Sequence, residues 1–274
     1  MTVSELCVMN NRRGMADLLT ILGGDPVAQA ANALLSDTRP IVVCTGFPVS
    51  GRPETDGPPG AIAIVDALEK LGRPVRLATS RDTLEIIKRV RPRYEFIEIS
   101  ENPSAAPERL CDVALVTIEI CGRCSDGTYR NMRGVDISNV APKFELTFGC
   151  QSLISIGDGG NEFGMGSAGP KFFEAYKSVS PPTSNAEHLI PASVSNYGGY
   201  ALVCEMQKQT GQNLLPNPAR HVLLIEELVS FGMVDGFSGL MENLVDGESL
   251  NSTLRFLSSL HAATGSEPSG CSQF

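Results

Sequence analysis

The chain has 274 residues, 22 basic and 31 acidic, and its net charge of -9 excludes nucleic acid as a predicted partner, because binding to a phosphate backbone depends on Lys and Arg. No apolar run approaches the roughly 20 residues of a membrane helix, so no membrane contact is predicted. Near the N-terminus, Glu5 and Asp17 are atypical of a transit peptide. We therefore predict a cytoplasmic protein, with the mitochondrial matrix as the alternative if the source is eukaryotic.

Apolar runs typical of buried strands alternate with segments of helical periodicity along most of the chain. The first helix of this pattern is predicted at "VAQAANALLS", with Asp25 as N-cap and Pro26 as first residue. Strands are predicted at "RPIVVCTGF", "RPVRLAT", "YEFIEIS", "CDVALVTIEI" and "QSLISIG". The helices that alternate with them are "GAIAIVDALEKLG", "RDTLEIIKRVR" after its N-cap Ser80, "SAAPERL" and "PKFFEAYKSV". Beyond "AEHLIPASVSN" the pattern becomes mainly helical, at "YGGYALVCEMQKQ", "ARHVLLIEELVSFG" and "SLNSTLRFLSSLHAA".

Strands that alternate with helices indicate parallel pairing, because a parallel connection needs a crossover segment. The predicted fold is a three-layer α/β structure with a mostly parallel, doubly wound, Rossmann-like sheet. Helices are expected on both faces of the sheet, and the C-terminal part is expected to be rich in helix. We predict one α/β domain over 1–264 and a disordered tail over 265–274.

Acidic residues cluster in loops that follow predicted strands. Asp56, Asp126 and Asp158 each precede a glycine in such a loop. Asp-Gly is a good turn former, so each pair alone is explained by a turn. Because ligands bind beyond the carboxyl ends of parallel strands, the three loops are expected to meet at one rim. The same loops also offer Glu54, Thr55, Glu119, Arg123, Arg133, Asn161 and Glu162.

Convergent carboxylates favour a divalent metal such as Mg²⁺, Mn²⁺ or Ca²⁺, which prefers oxygen ligands. Several carboxylates brought together without a cation would repel one another. The alternatives from the residues alone are acid–base catalysis by the carboxyl groups, or hydrogen-bonded loop scaffolding. Which residue acts as ligand and which as base is left open by the spacing.

Other sites are less favoured by the sequence. The segment "GDGGNEFGMG" has Glu162 where a dinucleotide-binding motif needs glycine, and no phosphate-binding P-loop motif occurs. The C-x-x-C at 121–124 has no second cysteine pair, and the three histidines are isolated, so zinc is not predicted. Ser195 or Asn196 is expected to cap a helix whose N-terminus binds an anion. Asp246 is expected in a plain turn.

Five segments together resemble a known family. The segments "TGFP…ETDGPPGA", "IE…GR..DG.Y.N", "GDGGNEFGMG", "SVSNYGGYAL" and "DGFSG" stand in the same order in the C-terminal domain of the D-glutamate cyclase family and its stand-alone relatives. The segment "NRRGM" is similar to the start of that domain. The resemblance covers residues 11 to 255, nearly the whole chain.

The resemblance implies a metal-assisted lyase that converts D-glutamate to 5-oxo-D-proline and water. In this hypothesis the amine attacks the γ-carboxyl carbon, and a bound Mn²⁺ or Mg²⁺ polarises that carboxyl group. The expected metal ligands are Asp56, Glu119 and Asp158. The expected catalytic residues are Glu162, as the base, with Asp126 and Arg123. The expected substrate-binding residues are Arg13, Thr45, Gly46, Asn161, Ser195 and Asn196.

Two other functions remain as alternatives. One is a Mn²⁺-dependent phosphatase that uses the same acidic site, as some relatives of the family imply. The other is a non-catalytic domain that binds a small anion. In each case the predicted partner is a small anionic molecule, D-glutamate or a phosphate ester, and association into a homo-oligomer is left open.

Overall fold

The computed structural model describes residues 1–100, 110–148, 151–177 and 180–265. The helix predicted at "SAAPERL" lies outside the described residues except for its last residue, as does the predicted disordered tail beyond residue 265. The domain boundaries stay a prediction. Within the described ranges, no helix combines the length and the apolar character that crossing a membrane requires.

The described chain contains ten strands and ten α-helices. The strands are β1 (Ile41–Thr45), β2 (Pro48–Val49), β3 (Arg52–Pro53), β4 (Val75–Ser80), β5 (Phe96–Ile99), β6 (Ala114–Ile118), β7 (Ser152–Gly157), β8 (Ala186–Pro191), β9 (Leu244–Val245) and β10 (Glu248–Ser249). The helices are α1 (Val3–Cys7), α2 (Met15–Leu22), α3 (Pro26–Ser36), α4 (Pro58–Lys70), α5 (Arg81–Val90), α6 (Phe144–Thr147), α7 (Gly169–Ala175), α8 (Ser195–Thr210), α9 (Pro218–Ser230) and α10 (Leu250–Thr264).

Six strands form a parallel sheet in the order β5-β4-β1-β6-β7-β8. Numbered by their own succession along the chain, these strands lie in the order 3-2-1-4-5-6, which is that of a doubly wound sheet. Helices cover both faces, so the predicted three-layer α/β fold class is confirmed. The order of strand addition reverses between β1 and β6, and ligands in such sheets bind at this switch point.

The apolar core lies on both faces of this sheet, because successive strand residues point in opposite directions. Ile41 and Val43 of β1 pack into the larger core cluster with helices α4 and α8, whereas Val42 and Cys44 pack into a second cluster. Phe144 of α6 belongs to that second cluster. Burial on both faces explains why the central strands are continuous apolar runs.

The predicted strands are all present, and one further strand is not among them. Residues Ala186–Pro191 form β8, at the edge of the sheet beside β7. Within this strand Glu187 is exposed and His188 is half-buried, so the sequence lacks the long apolar run of the central strands. Asp25 caps α3 as predicted, its side chain accepting from Ala28 N. Ser80 stands at the predicted N-cap of α5, but its hydroxyl hydrogen-bonds Thr83 Oγ1 instead of the helix backbone.

Candidate metal centre

Three carboxylates meet at the switch point of the sheet. Asp56 lies in the loop between β1 and α4, Glu119 directly follows β6, and Asp158 directly follows β7. One oxygen of each side chain lies within 4.8 Å of one oxygen of each of the others, and all three residues are buried. The expected convergence of these acidic loops is therefore confirmed, whereas ion binding by them stays a prediction.

The position of Asp56 is fixed by the N-terminus of α8. Asp56 Oδ2 accepts from Ser195 N at 2.9 Å, and Asp56 Oδ1 accepts from Asn196 N at 2.8 Å. An anion at a helix N-terminus is stabilised by the unpaired N–H groups and the helix dipole. The anion expected there was the substrate, but the protein's own carboxylate takes these N–H groups. Substrate binding by Ser195 and Asn196 stays a prediction, and their backbone N–H groups already donate to Asp56.

The side chains of Ser195 and Asn196 also form hydrogen bonds with residues around the cluster. Ser195 Oγ donates to Glu119 Oε2 at 2.6 Å. Asn196 Oδ1 accepts from Gly57 N at 3.0 Å and from Gly60 N at 2.8 Å, so it supplies acceptors for the first turn of α4. These two residues tie the loop after β1 to the residue after β6.

Two glycines allow α4 and α8 to approach closely enough for these contacts. A Cβ atom on Gly199 would lie 3.0 Å from the Cα of Gly60, and one on Gly60 would lie 2.7 Å from Ile118 Cδ1. Any larger residue would push the helices apart. The "GGY" and "PPGA" segments thus set the distance between Asp56 and the start of α8.

Glu119 adopts a left-handed backbone with φ 47, which is unusual for a residue other than glycine. Such conformations persist where the surrounding structure enforces them, and they concentrate at functional sites. Its carbonyl accepts from Gly46 N at 3.2 Å. Thr45 lies close to Glu119, because a Cβ atom placed on Gly57 would be 2.7 Å from both Glu119 Cβ and Thr45 Oγ1. Thr45 and Gly46 therefore lie next to Glu119 and are not among the described residues that line the cavity, and substrate binding by them stays a prediction.

Glu162 is engaged by the loop that carries it. Its Oε1 accepts from Asp158 N at 2.9 Å and from Gly159 N at 2.6 Å, and its Oε2 accepts from Gly160 N at 2.6 Å. A carboxylate that accepts hydrogen bonds from three backbone N–H groups holds the loop in its conformation. Glu162 is also absent from the described residues that line the neighbouring cavity. These contacts connect Glu162 to the backbone of Asp158, and its role as base stays a prediction.

Asp126 and Arg123 lie away from the cluster. The side chain of Asp126 is 52% exposed and accepts from Thr128 Oγ1 at 2.6 Å and from Arg130 Nη2 at 3.0 Å. These hydrogen bonds, with that from Thr128 foremost, lower the pKa of Asp126 to about 2. Arg123 is exposed, and its backbone carbonyl accepts from Thr183 N. Neither residue belongs to the described cavity wall, so the structure does not bring them to the cluster, and their catalytic roles stay predictions.

Arg13 joins the cluster through an ion pair. Its Nη1 lies 2.6 Å from Asp158 Oδ1, and its Nη2 donates to Asp246 Oδ2. Arg12 Nη1 lies 3.1 Å from the same oxygen of Asp246. Arg13 was expected to hold the substrate carboxylate, but both terminal nitrogens of its guanidinium face carboxylates of the protein. The sequence predicted that Arg13 lies at the site, but it did not predict the ion pairs with Asp158 and Asp246.

Asp246 shows how a turn residue can also belong to the site. Asp246 and Gly247 connect β9 to β10, with φ 50 and φ 78, so the predicted turn is confirmed. The turn also places the Asp246 carboxylate against Arg12 and Arg13, which the sequence analysis did not foresee. In the sequence, the two adjacent arginines of "NRRGM" are the feature that could have indicated an acidic partner such as Asp246.

A cavity of about 510 Å³ opens above the cluster. Its wall includes the three carboxylates, Arg12, Arg13, Glu54, Asn161, Arg133 and Asp246. Asn161 donates from Nδ2 to Arg130 O at 3.0 Å, and its Oδ1 is buried without a hydrogen-bond partner among the described residues. Glu54 is buried, and no described residue donates a hydrogen bond to its carboxyl group. These groups remain available to a ligand.

Burial dominates the electrostatics of the site. It raises the pKa of Glu54, Asp56 and Glu119 well above their ordinary values, and the neighbouring carboxylates raise it further. Burial also raises the pKa of Asp158, against the lowering effect of Arg13, and raises the pKa of Asp246 to about 6. A divalent cation would favour the ionised forms, because it supplies the positive charge that these groups lack.

The donor set fits a hard divalent ion. Asp158 Oδ2 and Asn161 Oδ1 are buried acceptors without a described hydrogen-bond donor, although buried polar atoms are almost always paired. Carboxylate and amide oxygens suit Mg²⁺, Mn²⁺ or Ca²⁺ and do not suit a metal that prefers sulfur or imidazole. Asp56, Glu119 and Asp158 could therefore hold such an ion, with Asn161 beside them.

Neither the cysteine pair nor the three histidines are among the described residues that line the cavity. Cys121 Sγ donates to Arg130 O at 3.4 Å, and burial raises the pKa of both Cys121 and Cys124. A raised pKa disfavours the thiolate that metal binding needs. His221 is buried with its Nε2 2.8 Å from the hydroxyl of Tyr200. Cys121 and His221 thus make contacts within the packed fold.

The fold and the site define a class of protein: a doubly wound α/β protein with an acidic crevice at the switch point of its sheet. The family described as "D-glutamate cyclase-like, C-terminal" matches residues 4–261, so the chain belongs to this family, as the sequence motifs predicted. The chain is also similar to "D-glutamate cyclase, mitochondrial" of Homo sapiens, with 28% identity over 284 residues. That match covers 81% of this chain and 45% of the human protein, so the chain spans about half the length of that relative.

Proposed function

We propose that the chain is a metal-assisted lyase that converts D-glutamate to 5-oxo-D-proline and water. Membership of the D-glutamate cyclase-like family and the similarity to the human cyclase support this activity. The single observation that carries the proposal is the buried cluster of Asp56, Glu119 and Asp158 at the floor of the cavity. We propose Mn²⁺ or Mg²⁺ as the cofactor, held by these three carboxylates.

The reaction joins the α-amine of the substrate to its own γ-carboxyl carbon. A carboxylate is a poor electrophile because its negative charge opposes attack. A divalent ion bound at the cluster would polarise the γ-carboxyl group and offset that charge. The cavity fixes the substrate in a folded conformation, and such positioning of reacting groups accelerates ring closure.

The α-amine and the α-carboxylate of the substrate need partners in the cavity wall. We assign the contact with the amine to Glu54 in place of Glu162, because Glu54 lines the cavity and its carboxyl group has no described donor. We assign the α-carboxylate to Arg133, an exposed residue of the cavity wall whose guanidinium makes a long hydrogen bond, with Nη2 3.4 Å from Phe237 O. Arg13 keeps its ion pairs with Asp158 and Asp246 and so orients a metal ligand.

The direct test is product formation. Purified protein, stripped of metal and then supplied with Mn²⁺, should convert D-glutamate to 5-oxo-D-proline, measured by chiral chromatography. L-Glutamate and a metal-chelated sample serve as controls. If no product forms above the chelated blank, the cyclase proposal is refuted.

The two alternatives are tested on the same preparation. Release of phosphate from a generic ester with Mn²⁺ would support the phosphatase. A rise in melting temperature with D-glutamate but without turnover would support a binding domain. Location in the cytoplasm and association into a homo-oligomer stay predictions, and the human relative is named as a mitochondrial protein.

A further inference from the structure

The cavity is larger than the proposed substrate. Its volume is about 510 Å³. Even if each of the roughly ten non-hydrogen atoms of glutamate filled as much space as a water molecule in the liquid, about 30 Å³, the substrate would take about 300 Å³. A second cavity of about 310 Å³ adjoins the first at Phe47 and Pro48, which line both. Free glutamate leaves much of this space unfilled.

One side of the cavity is apolar, which free glutamate does not match. Phe47, Val49 and Ile137 line it and belong to one apolar cluster. Met132 and Phe237 also line the cavity, and these five side chains are called the apolar wall here. Phe237 is 65% exposed, and a large apolar side chain exposed at a cavity mouth is typical of a ligand contact. The wall therefore suits an apolar group attached to a charged headgroup.

We propose that the site also accepts γ-D-glutamyl amides or esters whose γ-substituent is apolar or aromatic and lies against the apolar wall. This inference rests on the proposed function, since it uses the same ring closure. The α-amine attacks the γ-carbonyl carbon, a C–N bond forms, and the bond from that carbon to the leaving nitrogen or oxygen breaks. The proton lost by the amine goes to the leaving group. The products are 5-oxo-D-proline and a free amine or alcohol, so no water or second substrate is consumed.

The chemistry favours such a substrate over free glutamate. The carbonyl carbon of a neutral amide or ester carries no negative charge that opposes attack. The leaving group departs as an amine or alcohol, whereas free glutamate must lose an oxygen from a carboxylate. The apolar substituent adds binding energy through the area that it removes from water.

The test compares γ-D-glutamyl p-nitroanilide with D-glutamate on the metal-loaded protein. Release of p-nitroaniline is followed by absorbance and 5-oxo-D-proline by chromatography, against a protein-free blank. We expect kcat/KM for the anilide to exceed that for D-glutamate by at least about ten-fold, the factor that partial burial of an aromatic ring provides. The L-isomer of the anilide is the stereochemical control.

Two variants locate the effect on the apolar wall. Phe237→Ala should reduce the ratio of the two kcat/KM values by about five-fold. Leu240→Ala is the matched control, because Leu240 is 58% exposed in the same loop but is not among the described cavity residues. It should leave the ratio unchanged.

The outcomes separate this inference from the proposed function. If D-glutamate is converted but the anilide reacts no faster, or if both variants change the ratio equally, the inference is refuted and the cyclase proposal stands. Release of p-nitroaniline with D-glutamate instead of 5-oxoproline would mean hydrolysis and would also refute it. If neither compound yields 5-oxoproline, both proposals fail.

Discussion

The loop after β1 and the loop after β6 each carry an Asp-Gly pair, yet the two aspartates have opposite environments. Asp56 is buried between the start of α8 and two other carboxylates, and burial raises its pKa. Asp126 is exposed, and hydrogen bonds from Thr128 and Arg130 lower its pKa. The comparison shows that the Asp-Gly pattern does not identify a site residue. Burial beside like charges favours Asp56 as the site residue, because grouped carboxylates repel one another and a bound cation would offset that repulsion.

The largest expected effect comes from removing the buried member of this pair. Asp56→Asn should weaken Mn²⁺ binding by at least about 100-fold and abolish turnover, because the cluster loses one of three anionic ligands. Isothermal titration with Mn²⁺ measures the affinity, and circular dichroism confirms that the variant folds. Unchanged affinity would place the metal elsewhere, and an unfolded variant would make Asp56 part of the scaffold.

The pH dependence of stability should report the buried carboxyl groups. The folded-state pKa of Asp246, about 6, is above its ordinary value of 3.8, because burial and Asp158 outweigh Arg12 and Arg13. The folded state thus binds this proton more tightly, so the stabilising contribution is complete below pH 3.8 and is lost as the pH rises through about 6. The loss is at most about 3 kcal/mol.

Urea unfolding of the metal-free protein between pH 4 and pH 7.5 measures this effect. The fall in unfolding free energy should be smaller in Asp246→Asn, because the titrating group is gone. Asp126→Asn is the control, since the pKa of Asp126, about 2, places its titration below this range. If the unfolding free energy falls with pH as steeply in Asp246→Asn as in the unaltered protein, the attribution of this pH dependence to Asp246 is contradicted.

A smaller effect is expected from Glu162→Gln. Glutamine offers one acceptor oxygen where the carboxylate offers two, so at least one backbone N–H of the loop loses its partner. The expected cost is about 2 kcal/mol, or about 5 °C in melting temperature, with most activity retained. Glu174→Gln, at an exposed position of α7, is the matched control. Loss of activity at an unchanged melting temperature would instead restore Glu162 as the base.

The smallest effect is expected from the exposed member of the compared pair. Asp126→Asn should leave Mn²⁺ affinity and turnover within about two-fold of the unaltered protein, because this side chain faces solvent away from the cavity. Steady-state kinetics and titration provide the measurement. A ten-fold loss would show that the loop moves Asp126 to the cavity when substrate binds.

The sequence by itself determined the fold class, five of the six main strands, the family and the three acidic residues that meet at the floor of the cavity. Apolar periodicity and turn-forming pairs are local signals, and parallel strands bring the loops at their carboxyl ends to one edge. Those signals sufficed for Asp56, Glu119 and Asp158. They did not suffice for β8, whose short apolar run is stabilised by pairing with β7.

Only the tertiary structure decided which polar groups face the cavity. Glu162 and Glu54 both stand near a metal-ligand candidate in sequence, but backbone N–H groups engage the first and not the second. Asp246 reaches Arg13 from the other end of the chain. The direction of Glu119 depends on one left-handed backbone angle, and the position of Asp56 depends on the crossing of α4 and α8. Residue spacing in the sequence does not encode the direction of Glu119 or the position of Asp56, because both arise from contacts between distant segments.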